Sequence, residues 1–331
     1  MGAVTTAMGL LPTRAEIGVL AAVFLLVFRL AQGITVGGES AGSMVFLLEQ
    51  ANKRWRATTS IFSLMGAVGG VLLALSISSL ITRYCSSAEM LAGAWRIPFL
   101  FSGVLAIIGI YLRAKFWQDE ITSPVKTPMK ELFLRQKKQL ISAILFLSLP
   151  AVFTGFIFVY LVPFLIIYLH FHLAQAIQID IYLMLTMLIC LLLGALFSDI
   201  FKCHSLLLAG GFLLLGLSAV PLFYWIAQGG QAAFYGLLVF TVIASLAMGA
   251  EVVYLVELFK PSVRYSGTGF SHGFAFSFVT GLTPLLLNYL VSVLGIISIA
   301  WVMLLAGLVS GLTVMMLKRP KFFLTSLSKS G

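Results

Sequence analysis

Residues 140–169 read LISAILFLSLPAVFTGFIFVYLVPFLIIYL, without one charged side chain. At 1.5 Å of helical rise per residue, the run exceeds the roughly 20 residues needed to cross a hydrocarbon core of about 30 Å. It does not alternate apolar and polar residues, as a membrane β-strand must. Outward from it, similar runs fall near 17–48, 59–82, 97–113, 178–198, 206–226, 233–256, 267–291 and 295–317. The sequence therefore predicts an all-α, polytopic membrane protein with about nine transmembrane helices.

Composition agrees. The 331 residues are 60% hydrophobic and 10% charged, with mean hydropathy +1.08, against about 25% charged in soluble domains. A water-soluble enzyme and a nucleic-acid-binding domain are excluded on that ground. The formal net charge of +10 sits almost wholly in the gaps between apolar runs, as membrane topology requires. Cys85, Cys190 and Cys203 show neither CxxC nor Cys/His ligand spacing, so they read as small apolar helix residues. His170 and His172, two apart in an outer loop, would diverge on a helix, and no metal or cofactor site is expected. No GxSxG, HExxH or Walker sequence appears, so the chain is read as a non-enzyme.

Lys and Arg set the orientation, because cytoplasmic loops are enriched in them. With alternate crossings, all but Arg14, Arg29, Arg83 and Arg96 of the 21 basic residues fall on one side. The C-terminus is therefore expected in the cytoplasm of a multi-pass cell-membrane protein. Residues 1–14 form an apolar stub too short to span and lacking the features of a signal peptide.

The segment 113–139, rich in basic residues and carrying Pro124 and Pro128, separates three spans from six. This divides the chain into 1–112, the remainder of an N-terminal bundle; 113–139, a cytoplasmic linker; 140–317, a C-terminal six-helix bundle; and 318–331, a basic cytoplasmic tail. An internal repeat supports the division. Glu49-Gln-Ala-Asn-Lys-Arg-Trp-Arg56 and Glu257-Leu-Phe-Lys-Pro-Ser-Val-Arg264 both read Glu-x6-Arg, at an offset of 208 residues (49 to 257, 56 to 264). If the halves are duplicates, the first visible span is the fourth of a six-helix bundle, and helices one, two and most of three are absent.

Arg29-Leu-Ala-Gln32-Gly33-Ile-Thr-Val-Gly37-Gly38-Glu39, Trp95-Arg-Ile-Pro-Phe-Leu100, Tyr111-Leu-Arg113, and Glu257-Leu-Phe through Val263-Arg264-Tyr265-Ser-Gly267 together resemble the metabolite:proton symporter branch of the major facilitator superfamily. That branch includes proline/betaine, dicarboxylate and shikimate transporters. The resemblance covers nearly the whole chain and implies two helical bundles rocking about a midplane site, with a small-molecule substrate moved together with a proton. The loop Gly194-Ala-Leu-Phe-Ser-Asp199-Ile-Phe-Lys202-Cys-His204 is similar to the superfamily's Gly-x-x-x-Asp-Arg-x-Gly-Arg-Arg loop. Asp199 matches, the basic positions read Ile200, Cys203 and His204, and Lys202 substitutes in part.

Candidate site residues follow. Arg29 lies roughly 18 Å into its span, and a central arginine costs about 2.5–3.5 kcal/mol even on lenient insertion scales. It should face a polar cavity, where it can attract a substrate carboxylate; Gln32 and Tyr160 are assigned to the same substrate site. Glu39, roughly 15 Å further along, and Glu251 are buried acids and candidates for proton coupling. Glu49, Arg56, Asp199, Lys202, Glu257 and Arg264 stand at inner helix ends and are assigned to gating, with the Glu49/Arg56 and Glu257/Arg264 pairs bracketing cytoplasmic turns. The spacings Gly33/Gly37, Gly38/Gly42 and Gly66/Gly70 are read as packing surfaces. The alternative function is a truncated, non-transporting remnant of such a transporter.

Overall fold

A computed structural model of the chain describes residues 1–116 and 128–317. The tail 318–331 and the central part of the 113–139 linker lie outside the described residues. All regular elements among the described residues are helical. They are α1 (Gly2–Gly9), α2 (Leu20–Gln50), α3 (Arg56–Tyr84), α4 (Ile97–Phe116), α5 (Pro128–Arg135), α6 (Lys137–Ile167), α7 (Leu173–Phe201), α8 (His204–Ile226), α9 (Gly230–Met248), α10 (Glu251–Glu257), α11 (Pro261–Leu294) and α12 (Ser298–Met316). Short helices at Arg14–Ile17 and Ser87–Ala92 are closed by capping boxes, Thr13 with Glu16 and Ser86 with Glu89, each satisfying orphan amides of a first turn.

Among the described residues, eight helices are long and apolar enough to cross a membrane, with α9 and α10 forming one interrupted span, Gly230–Glu257. The remaining expected segment, 17–48, is the long helix α2. Its apolar part is Leu20–Gly33, because Gly37, Gly38, Glu39 and Ser40 dilute the run beyond it. The polytopic helical fold read from the apolar runs is the one observed.

The chain divides into two compact units, Met1–Ser40 with Leu73–Val125, and Ala41–Leu72 with Lys126–Gly331. In the first, the apolar start of the chain is α1, which lies along α4. Gly2 abuts Ala106, Gly103 abuts Thr6, and Gly9 abuts Phe99, closely enough that an added Cβ would overlap each neighbour. Arg96 closes this unit further by donating from Nη2 to the Leu11 carbonyl at 3.1 Å.

The second unit has an aromatic centre. Phe153, Phe156, Phe223 and Phe240, from α6, α8 and α9, are fully buried and meet at ring-centroid distances of 5.5–6.2 Å. Each such pair contributes about 0.5–1.5 kcal/mol beyond the area it covers. Turns widened to π geometry at Phe156–Tyr160 in α6 and Ala275–Val279 in α11 leave carbonyls without their usual donors. Beside them, Thr280 Oγ1 donates to the Ala151 carbonyl at 2.9 Å.

Small residues set the helix spacing, but at other positions than expected. A Cβ at Gly33, Gly66 or Gly70 would meet open space. Close backbone approach occurs instead where Gly216 of α8 meets Gly307 of α12, and where Gly194 of α7 meets Leu246 and Gly249 at the end of α9. Gly307 and Gly311 are themselves spaced GxxxG, and Gly311 covers Leu213. Spacing alone does not choose a contact face; the facing helix must be small at the same height.

Candidate functional site

A cluster of charged side chains lies where several helices of the second unit end or begin. Glu49 ends α2, Arg56 begins α3, Glu257 ends α10, and Arg264 follows one turn of 3-10 helix at Pro261–Val263. The pairing expected within each repeat, Glu49 with Arg56 and Glu257 with Arg264, is not the one formed. The partners are exchanged. Arg56 Nη1 stands 2.5 Å from Glu257 Oε1, and Arg264 Nη1 donates to Glu49 Oε1 at 3.1 Å. Within one repeat, each acid and its arginine flank a turn on separate helices. The neighbouring helix of the other repeat brings its own charge closer.

Asp199, near the end of α7, joins this cluster. Its carboxylate accepts hydrogen bonds from the Ala57 N–H (3.0 Å), the Thr58 N–H (2.7 Å) and the Thr58 hydroxyl (2.7 Å). The first turn of α3 has no side-chain cap of its own, because its N-cap position is Trp55. A carboxylate from α7 supplies the missing acceptor at the positive end of the helix. Asp199 is only 6% exposed, so these charge-assisted bonds are shielded from water.

Lys202, assigned to gating from sequence, sits in left-handed conformation (φ 53°) as the C-cap of α7. It is exposed and makes no ion pair among the described residues. His204 stands there instead, its Nε2 3.9 Å from Asp199 Oδ1 and its Nδ1 hydrogen-bonded to the Ser198 hydroxyl. Between them, burial pushes the Cys203 thiol above its usual range, which fits an inert side chain.

In the first unit, Arg29 and Gln32 are brought together. Arg29 Nη1 donates to Gln32 Oε1 at 3.2 Å, and Gln32 Nε2 donates to Thr5 Oγ1 of α1 at 3.1 Å. Their spacing of one helical turn predicts the first contact; Thr5 is visible only in three dimensions. Arg29 is exposed on α2, and Glu39, expected as a buried acid, is exposed there as well.

Tyr160 lies in the π turn of α6, 3% exposed, with its ring between Phe156 and Phe164 at 6.3 and 6.0 Å. Aromatic packing surrounds it. Glu251 is 1% exposed, and neither carboxylate oxygen has a hydrogen-bond partner among the described residues. Asp180 of α7, 2% exposed with Oδ1 unpartnered, escaped the sequence reading. Its signal was a lone acid two turns into an apolar run.

Residues 1–196 match the family described as Major Facilitator Superfamily. The chain is 30% identical to the shikimate transporter of Escherichia coli (strain K12), covering 96% of this chain and 75% of that protein. It is 29% identical to the proline/betaine transporter of Salmonella typhimurium (strain LT2), covering 87% of this chain and 60% of that protein. Among solved structures, the crystal structure of a D-xylose-proton symporter superposes with TM-score 0.71 and 17% identity, covering 95% of this chain and 79% of that one. This chain thus spans about 60% of the length of its proline/betaine relative.

Proposed function

This chain belongs to the Major Facilitator Superfamily, and we propose that it is a secondary active transporter moving a small organic acid or zwitterionic osmolyte together with a proton. The observation that carries the reading is the exchange of ion pairs between the two Glu-x6-Arg segments. Charge pairs that join one repeat to the other hold the inner ends closed in one state and part in another, which gives alternating access its two minima. Proline/betaine and shikimate transporters among the relatives support the substrate class.

In this reading Glu49, Arg56, Asp199, Glu257 and Arg264 form the inner gate, and Lys202 acts only as a helix terminator. Arg29, held by Gln32, offers a cation to the substrate carboxylate. Tyr160 supports the substrate helix through its packing. Glu39 and Glu251 are the candidates for proton coupling. The 113–139 linker and the 318–331 tail face the cytoplasm of a cell membrane, with three spans before the linker and six after it.

The test is uptake of labelled L-proline, glycine betaine, α-ketoglutarate and shikimate into vesicles with an imposed proton gradient. Gradient-dependent accumulation of one compound, abolished by a protonophore, is the expected result. Silence across the panel from normally inserted protein would favour the alternative, a non-transporting remnant of such a transporter.

A further inference from the structure

Glu251 opens α10 directly after the helix is interrupted at Gly249 and Ala250. The interruption is locked in place from outside. An added Cβ at Gly249 would overlap the backbone of Gly194 and Ala195 in α7, and one at Gly194 would overlap the Leu246 carbonyl. Helix interruptions inside transporters place ionisable groups and free backbone at the site of ion binding.

The elements packed against α10 are the first turn of α3, α6, α8, the first part of α11, and α12. Their ionisable side chains are Arg56 on α3, Lys137, Lys138 and Tyr160 on α6, His204 and Tyr224 on α8, and Arg264, Tyr265 and His272 on α11. Glu257 and Tyr254 lie on α10 itself. Arg56 is committed to Glu257 and Arg264 to Glu49, and none of these groups bonds to Glu251. An ionised carboxylate without a partner, at 1% exposure, costs several kcal/mol. Glu39, exposed on α2, carries no such constraint.

We infer that Glu251 carries the proton moved in the transport cycle and that the contact between α3 and α10 is its gate, an inference that rests on the transporter reading above. Glu251 and Glu257 are separated by about 9 Å of helical rise. The Arg56–Glu257 pair therefore holds the first turn of α3 against the helix that carries Glu251. When that pair parts, water enters beside α10. The Glu251 O–H bond then breaks, its proton passes to a water molecule on the cytoplasmic side, and the electron pair stays on the hydrated carboxylate.

The experiment compares wild type with Glu251→Gln, which keeps the side-chain shape, Glu251→Asp, which keeps the acid, and Asp180→Asn as the buried-acid control. Purified protein in liposomes is followed by infrared spectroscopy at neutral pH, and the four-compound panel is followed by gradient-driven accumulation and by counterflow. Three results are expected together. A protonated-carboxyl band of wild type is missing from Glu251→Gln. Accumulation falls about tenfold or more in Glu251→Gln while its counterflow survives. Glu251→Asp recovers part of the accumulation, and Asp180→Asn keeps both activities.

Normal accumulation by Glu251→Gln, or no band lost, would overturn the assignment while leaving the transporter reading intact. Loss of counterflow together with accumulation would also overturn it, by making Glu251 a structural group. A wild-type chain that neither accumulates nor exchanges any of the four compounds would remove the transporter reading itself, and this inference with it.

Discussion

The Arg56 guanidinium lies 2.5 Å from the Glu257 carboxylate rather than serving the Glu49 of its own segment. Arg264 returns the exchange by binding Glu49 at 3.1 Å. Both pairs are partly shielded, with side-chain exposures of 28% and 17% in the first and 15% and 49% in the second. The Arg56 pair is thus the drier of the two and the less screened by solvent.

Charge reversal tests the exchange. Arg56→Glu and Glu257→Arg should each lower uptake about tenfold, roughly 1.4 kcal/mol, and the double variant should recover most of the loss. Combining Arg56→Glu with Glu49→Arg should recover nothing. Recovery by that second pair in the uptake assay would mean that the charges work within a repeat.

Asp199→Asn keeps an acceptor but loses the charge that caps α3. The expected cost is about 0.5–2 kcal/mol, read as a lowered melting temperature in detergent. Cysteines introduced near Arg56 should also become more reactive from the cytoplasmic side. An unchanged melting temperature and reactivity would remove Asp199 from the gate.

The backbone contact between α7 and α9 tolerates no added side chain. Gly194→Val should cost about 1–3 kcal/mol through overpacking and should yield aggregated protein on size exclusion. Gly66→Ala, placed in open space, should stay within about 0.5 kcal/mol of wild type. Equal behaviour of the two variants would contradict the packing described.

Arg29→Ala should abolish uptake while leaving membrane levels close to normal, since its one hydrogen bond in the described residues is to Gln32. Gln32→Ala should weaken uptake less. Unchanged transport by Arg29→Ala would take Arg29 out of the substrate site.

At the short helix Ser87–Ala92, hydrogen bonds from the Ser86 backbone N–H and hydroxyl hold the Glu89 carboxyl below its usual range. The folded pKa is depressed, so the capping contribution is fully present above the unfolded value and disappears as pH falls through the folded one. Amide protection in residues 87–92, measured relative to the intrinsic exchange rate at each pH, should therefore fall in acid, and in Glu89→Gln it should not change with pH.

The apolar runs were enough to place the spans. The run 140–169 became Lys137–Ile167, and 206–226 became His204–Ile226, because a helix crossing hydrocarbon must satisfy its own backbone and be apolar along its length. The Glu-x6-Arg repeat was equally plain, since it is a property of order along the chain. Arg29 and Gln32 were legible for the same reason, being one turn apart on one helix.

What lay between helices was not legible. The partner of Asp199 is the start of α3, the partner of Arg56 is Glu257, and close packing falls at Gly307/Gly311, whereas a Cβ at Gly33, Gly66 or Gly70 would meet open space. Asp180 and Glu251 look alike in the sequence as lone acids in apolar runs, yet only Glu251 stands at a helix interruption. Sequence by itself determined which segments cross and which ends carry charge, because those follow from hydropathy and spacing along one chain. Tertiary structure alone decided which charge meets which and which acid is left dry, because those depend on the neighbouring helix and its height against the first.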